Sequence, residues 1–222
     1  MKLIIGNKNY STWSMRPWLV LKAFGIVFEE ETALLSGEGW QAHIRSVSPS
    51  GRVPVLIDDD LVIPESLAII EYLSERFPEL AIWPADTAQR ARARSVSAEM
   101  HGGFTALRRA APMNLRASHP GRVDPAHFAR DLARIEAIWG DAVGASGGPF
   151  LFGTFSAANA MFAPVVSRFG TYAIAVSAAA HRYMDAVMAD PAYIEWKAGA
   201  LAEPWIIADD EIDVIQARAA GP

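Results

Sequence analysis

The chain has 222 residues, 51% of them hydrophobic, a formal charge of −5 and no cysteine. That length and apolar share supply core for one large globular domain or two small ones. The lack of cysteine rules out a disulfide framework, a thiolate nucleophile and a cysteine-ligated metal, so any thiol chemistry has to come from a substrate, and the acidic balance argues against a general nucleic-acid binder.

Taken in chain order, residues 2–6 read as a strand, and the apolar side of residues 18–24 reads as a helix that Gly25 ends. Residues 26–34 resemble a second strand and Trp40 to Val47 a short helix. The stretch "VPVLIDDDLVIPE" (53–65) is two short β runs joined by Asp58 to Asp60, as in an antiparallel hairpin. Ser66 then opens "SLAIIEYLSERF", whose apolar spacing is helical. Pro78 and Pro84 bracket a break, beyond which the pattern is helical: near 87–111, 125–144, 156–168, 174–189 and 191–198, with "ASGGP" (145–149) as a loop. The expected architecture is α+β: an α/β domain over 1–78, a linker at 79–86 and an all-helical domain over 87–222.

The run Leu3 to Ile5 is too short for the core of an export signal. The apolar tract 157–180 is broken by Asn159, Pro164, Arg168 and Gly170, so a membrane span is not expected either. With no cysteine to oxidise, a cytoplasmic location is the expectation. His43, His101, His119, His127 and His181 lack metal-ligand spacing, and neither a phosphate-cradling glycine loop nor a nucleophile elbow is present. No metal and no nucleotide cofactor are expected.

Four motifs in register, "STWS" after the first strand, "SPSGRVPVL" (48–56), "ESLAIIEYL" (65–73) and "FGTFSAAN" (152–159), resemble those of the cytosolic glutathione transferases, in particular bacterial, serine-type, zeta- or tau-like members. The resemblance covers nearly the whole chain. It implies a thioredoxin-like first domain, a helical second domain, glutathione as co-substrate, and a homodimer in which the first domain of one subunit meets the fourth helix of the other near Arg90 and Arg94. It implies no nucleic-acid or membrane partner.

The chemistry such an enzyme needs accounts for the hydroxyls in "NKNYSTWSMRPW" (7–18). A free thiol has a pKa of about 8.5, so little thiolate exists at neutral pH unless something stabilises the anion. A hydroxyl donating to sulfur at a helix N-terminus does so by hydrogen bond and by helix dipole. Pro17 belongs in a first helical turn, which makes Ser14 the expected N-cap and leaves Ser11 in the loop before it, facing the sulfur. In the serine-type classes the catalytic hydroxyl takes the place of the first cysteine of a thioredoxin motif, which Ser11 matches. Tyr10 is the rival, and Ser11, Thr12 and Ser14 also compete as simple caps. Trp13 and Trp18 read as packing.

The remaining site residues follow from the same likeness. It implies that Val53-Pro54 is a cis peptide from which the Val53 backbone pairs with a peptide ligand, and that Arg52 meets the glycine carboxylate; a trans proline at a strand entrance and a solvated Arg52 are the plain alternatives. Ser66, at a helix start, offers its hydroxyl and backbone N–H groups to a carboxylate, and Glu65 offers an anion to an ammonium; a simple capped helix is the bland reading. In "EMHGGFTALRRAAPMN" (99–114), Met100, Phe104, Leu107 and Ala111 share one helical face beside Gly102 and Gly103 and are expected to wall the electrophile pocket, with Arg108 and Arg109 attracting acidic groups. His101 reads as bland. Asn159 stands where the family usually has the aspartate of a capping box with Ser156. Conjugation to a hydrophobic electrophile is the first reading, glutathione-dependent cis-trans isomerisation (as in maleylacetoacetate isomerase) or peroxidase activity the second, and a non-catalytic protein-binding module the third.

Overall fold

The computed structural model describes residues 1–37 and 39–220. Four short strands form one mixed sheet in the order β2-β1-β3-β4: β1 (Lys2–Ile5) is parallel to β2 (Glu29–Thr32) and antiparallel to β3 (Val55–Asp58), which is antiparallel to β4 (Leu61–Pro64). Side chains alternate across the sheet, so Leu3, Ile5 and Leu56 enter one core while Ile4 and Val55 enter another. Helices α1 (Thr12–Ala23) and α3 (Ser66–Arg76) cover the first face. Helix α2 (Trp40–Val47) covers the second through Ile44 and Trp40. Pro64, which has no N–H for a ladder, ends the edge strand β4, where its loss is tolerated.

From Thr87 onward the chain is helical: α4 (Thr87–Gly102), α5 (Thr105–Ala110), α6 (Ala129–Ser146), α7 (Ala157–Tyr172), α8 (Ala178–Ala189), α9 (Pro191–Ala202) and α10 (Ile212–Ala220). Helix α7 is buried along nearly its whole length because it packs against both α1 and α4, which makes it the spine joining the two halves. Fully buried Trp196 of α9 adds a second junction: its indole N–H donates to the Lys8 carbonyl at 3.1 Å, and its ring meets Trp18 at 5.1 Å. The Lys8 ammonium lies over both indoles and pairs with Glu30 at 2.7 Å.

Among the changes from expectation, three fall in the helical half. The single helix over 87–111 is two helices, because Phe104 adopts a left-handed conformation (φ 58) and Gly103 lies so close to the end of α4 that a Cβ there would stand 2.7 Å from the Glu99 carbonyl oxygen. Helix α7 runs one turn beyond the expected residue 168. The segment after Ala202, where no element was expected, holds a 3-10 turn (Ala208–Asp210) and α10.

Asn159 replaces the missing carboxylate with a wider set of bonds. Its amide nitrogen donates to Ser156 Oγ at 3.1 Å and to the Leu151 and Thr154 carbonyls, and its oxygen accepts from Leu151 N–H. The loop before α7 is thereby held without a charge. Among the described residues no helix is long and apolar enough to cross a membrane.

Candidate active site

A cleft of about 610 Å³ opens between the α/β half and the helical half. Ser11, Thr12, Trp13, Arg52 and Val53 line it from the first half. Arg108, Arg109, Met113, Arg168, Asp210 and Ile215 line it from the second.

Ser11 is itself the N-cap of α1, and Pro17 falls in the second turn, so the expected assignment of Ser14 as cap is corrected. The reason is tertiary. Ser14 Oγ accepts from Gly6 N–H at 3.0 Å, at the end of β1, and from the Ser11 hydroxyl at 2.8 Å, and so has no lone pair to spare for the helix end. Ser11 Oγ also accepts from Ser14 N–H, at 3.4 Å. A rotation of the Ser11 hydroxyl turns its proton from Ser14 toward the cleft, at the positive end of the α1 dipole. The neighbouring Thr12 lines the same cleft, its hydroxyl without a hydrogen-bond partner among the described residues.

Tyr10 lines the cleft too, but its hydroxyl is engaged. It donates to Glu211 at 2.5 Å and accepts from Arg116 at 3.1 Å. Burial, and then the Glu211 carboxylate, push this phenol above its ordinary pKa. The same cluster straps the C-terminal segment over the cleft. Glu203 accepts from the Lys8 and Asn9 N–H groups, Arg116 donates to the Glu203 and Trp205 carbonyls, and Arg122 pairs with Asp213.

A second pocket of about 310 Å³ shares Trp13, Arg52 and Val53 with the first and adds Pro54, Glu65, Ser66 and His101. The Val53-Pro54 bond is cis, and nothing among the described residues pairs with the Val53 backbone N–H or C=O. Arg52 is exposed beside it, with its guanidinium unpaired among the described residues. Glu65 has a positive φ of 93 and caps α3, accepting from Leu67 and Ala68 N–H. Its other carboxylate oxygen accepts from the Ser66 hydroxyl at 3.0 Å and lies 3.5 Å from His101 Nδ1. His101 and Trp13, both read as bland from the sequence, meet edge to face at 5.1 Å and wall this pocket.

The helical wall differs from expectation. Met100, Leu107 and Ala111 are fully buried in the main core, and Phe104 is 7% exposed there; none of the four lines the cleft. The break at Gly103 turns the expected face inward, and the cleft is walled instead by Arg108, Arg109 and Met113 together with residues from far along the chain. Arg108 donates to the Met100 and Gly103 carbonyls, closing the end of α4, and its guanidinium lies 4.9 Å from the Trp13 ring centre. Arg168 of α7, buried, donates through Nε to the Ala111 carbonyl. Burial, then the Arg108 charge, depress its pKa. Asp210 has its carboxyl pKa raised, first by burial and then by Asp209. Arg168 and Asp210 carried no signal for the cleft in the sequence beyond residue type, and Thr12 read only as a competing cap in "STWS". Among the described residues, no cluster of His, Cys, Asp or Glu is placed to hold a metal.

Comparisons with known proteins bear on the fold. The family model described as glutathione S-transferase, N-terminal domain, matches residues 10–76. The chain is 35% identical over 100 residues to a probable maleylacetoacetate isomerase of Caenorhabditis elegans, covering 45% of this chain and 46% of the relative. It is 35% identical over 119 residues to the maleylacetoacetate isomerase of Pseudomonas aeruginosa, covering 52% and 55%. The matches thus span about half the length of these curated relatives. Among solved structures, a glutathione transferase homolog from Burkholderia gl BGR1 with bound glutathione superposes with a TM-score of 0.69 at 27% identity, over 90% of this chain and 97% of that one. The sheet with its flanking helices, the helical half and these likenesses make the chain similar to the cytosolic glutathione S-transferases, with residues 10–76 matching the N-terminal domain of that family.

Proposed function

We propose that the chain binds glutathione along Arg52, Val53, Pro54, Glu65 and Ser66 and directs its sulfur, as thiolate, at a hydrophobic electrophile in the cleft. The observation that carries this is the Ser11 hydroxyl at the N-terminus of α1, in the same cleft as the unpaired Val53 backbone. The Val53 N–H and C=O pair with the ligand's peptide as an added strand would, and Arg52 takes its glycine carboxylate. The Ser66 N–H, together with the Ser66 hydroxyl once it turns from Glu65, takes the γ-glutamyl carboxylate, while Glu65, which already accepts from the Leu67 and Ala68 N–H groups, takes the ammonium. The Ser11 hydroxyl donates to the sulfur, which favours the anion that forms the new C–S bond. The electrophile either expels its leaving group (halide from an aryl halide) with the bonding pair or takes the pair of its double bond onto the next carbon, which accepts a proton from solvent. The proton released by the thiol leaves to solvent.

A second reading, glutathione-dependent cis-trans isomerisation, is favoured by the guanidinium groups of Arg108, Arg109 and Arg168 on the helical wall, which suit an electrophile carrying carboxylates. The relatives named as maleylacetoacetate isomerases point the same way. Thiolate addition and elimination at a double bond uses the same Ser11, and so would reduction of a hydroperoxide. A homodimer in the cytoplasm is the assembly and location we infer. Arg90 and Arg94 are already bonded within their own subunit, to the Pro84 and Ala85 carbonyls and to Glu71, so they shape the dimer-facing surface of α4 more than they reach across it. Incubation with glutathione and a panel of aryl halides, hydroperoxides and maleyl compounds tests the reading. Turnover of a maleyl compound alone selects the isomerase, and no turnover of any leaves the fold as a binding module.

A further inference from the structure

Arg16 lies in α1, five residues beyond Ser11, with none of its surface exposed. Its Nε, Nη1 and Nη2 all lack a hydrogen-bond partner among the described residues. Fully buried guanidinium groups are normally paired, because desolvating an ion is costly unless a counter-charge or hydrogen bonds offset it. Here the close neighbour is the Trp13 ring, whose centre lies 4.3 Å from the guanidinium carbon. Trp13 lines both pockets and also carries Arg108 at 4.9 Å. The surrounding charges are unbalanced: Arg108 and Arg168 repel the Arg16 cation, while Glu65 attracts it. Asp131 attracts Arg108 and Asp210 attracts Arg168, but among the described residues none of the three guanidinium groups is in a contact ion pair, so the positive charge behind the wall of the cleft is only partly offset.

We propose that Arg16 is a positioning residue that acts through Trp13 and the low-dielectric interior to favour the anionic form of the sulfur held at Ser11. The inference rests on the glutathione reading above. The two carboxylates of that ligand have candidate partners at Arg52 and Ser66, and the side-chain hydroxyls offered to the sulfur at the start of α1 are the neutral ones of Ser11 and Thr12. An anion at that point relieves the repulsion among the three arginines. Because Arg16 has no exposed surface, it does so by its field and not by contact.

The test compares Arg16→Met, Arg16→Gln and Arg16→Lys with the parent chain. The thiolate's ultraviolet absorbance is titrated against pH in the glutathione complex, alongside affinity for S-methylglutathione, which keeps both carboxylates and cannot ionise at sulfur. The neutral variants are expected to raise the pKa of the bound thiol by about one pH unit, roughly tenfold in its ionisation constant. Arg16→Lys, keeping the charge, stays near the parent. S-methylglutathione affinity stays within about twofold for all three, and the melting temperature of the ligand-free neutral variants does not fall, since the ion removed was unpaired. A thiol pKa unmoved by Arg16→Met and Arg16→Gln overturns the proposal, as does an equal loss of affinity for S-methylglutathione, or failure of both neutral variants to fold. If the parent chain binds glutathione with its thiol pKa at the free value, the Ser11 reading fails with it. A depressed parent value that the Arg16 variants leave unchanged overturns the Arg16 inference alone.

Discussion

The two walls of the cleft are built by opposite means. On the α/β side, short-range geometry positions every group. A helix start presents Ser11, a cis peptide frees the Val53 backbone, and a second helix start presents Ser66, each on its own turn of chain. On the helical side the groups are long guanidinium and carboxylate side chains brought from α5, α7 and the C-terminal segment, and Arg108 and Arg168 are held there by backbone carbonyls. Backbone groups at fixed turns suit a ligand that is always the same, such as a tripeptide. Long charged side chains on separate helices suit a partner that differs from one family member to another.

The largest effect is expected where the walls are registered to each other. Trp196→Ala removes a fully buried indole that joins α9 to the Lys8 turn, and urea denaturation should show a loss of about 3 to 5 kcal/mol. A loss under about 1 kcal/mol would mean that α7 alone sets the register. Next, Glu65→Gln keeps an oxygen to cap α3 but removes the charge offered to an ammonium. Calorimetry should show glutathione affinity weakened by about 1.5 to 3 kcal/mol, with stability changed by less than about 1 kcal/mol. If both fall together, Glu65 serves the fold only.

On the other wall, Arg168→Met should raise KM for a dicarboxylate electrophile by roughly tenfold or more, the cost of a charged hydrogen bond. KM for a neutral aryl halide, and glutathione affinity, should be unchanged, and equal effects on both electrophiles would contradict the division of labour between the walls. The smallest effect is expected at Asp210. Its pKa is raised in the folded chain, so its contribution is fully present below its unfolded value, about pH 4, and is lost as the pH rises through the folded value. At neutral pH the buried charge opposes folding. Asp210→Asn should then melt above the parent at pH 7, with the difference vanishing near about pH 4; a variant that melts below the parent at pH 7 would make Arg168 a true ion partner.

The same contrast governs what the sequence reveals. The positions of Ser11, Val53, Glu65 and Ser66 at a helix start, a hairpin entrance and a second helix start were legible because the signals for those turns lie within a few residues of each, while the roles given to them and to Arg52 came from the family resemblance. The exchange of roles between Ser11 and Ser14 was not, since it depends on Gly6 N–H from β1 occupying the Ser14 hydroxyl. On the helical wall, the regular spacing of Met100, Phe104, Leu107 and Ala111 pointed to a pocket face, yet apolar spacing marks only a buried face and does not say whether core or ligand covers it. The left-handed Phe104 decided for the core. Arg168 and Asp210 enter the cleft through packing of distant segments, and Arg16 looks in sequence like any arginine on a helix.

The central claim is that Ser11, and not Tyr10, is the hydroxyl that stabilises the thiolate. The most direct measurement is the ultraviolet titration of the bound thiol in glutathione complexes of the parent, Ser11→Ala and Tyr10→Phe. Ser11→Ala should raise the thiol pKa and lower turnover by about 10²-fold or more, with glutathione affinity nearly intact. Tyr10→Phe should leave the titration in place, because its hydroxyl is committed to Glu211 and Arg116. An unmoved titration in Ser11→Ala together with an upward shift in Tyr10→Phe would contradict the account and make the tyrosine the catalytic hydroxyl.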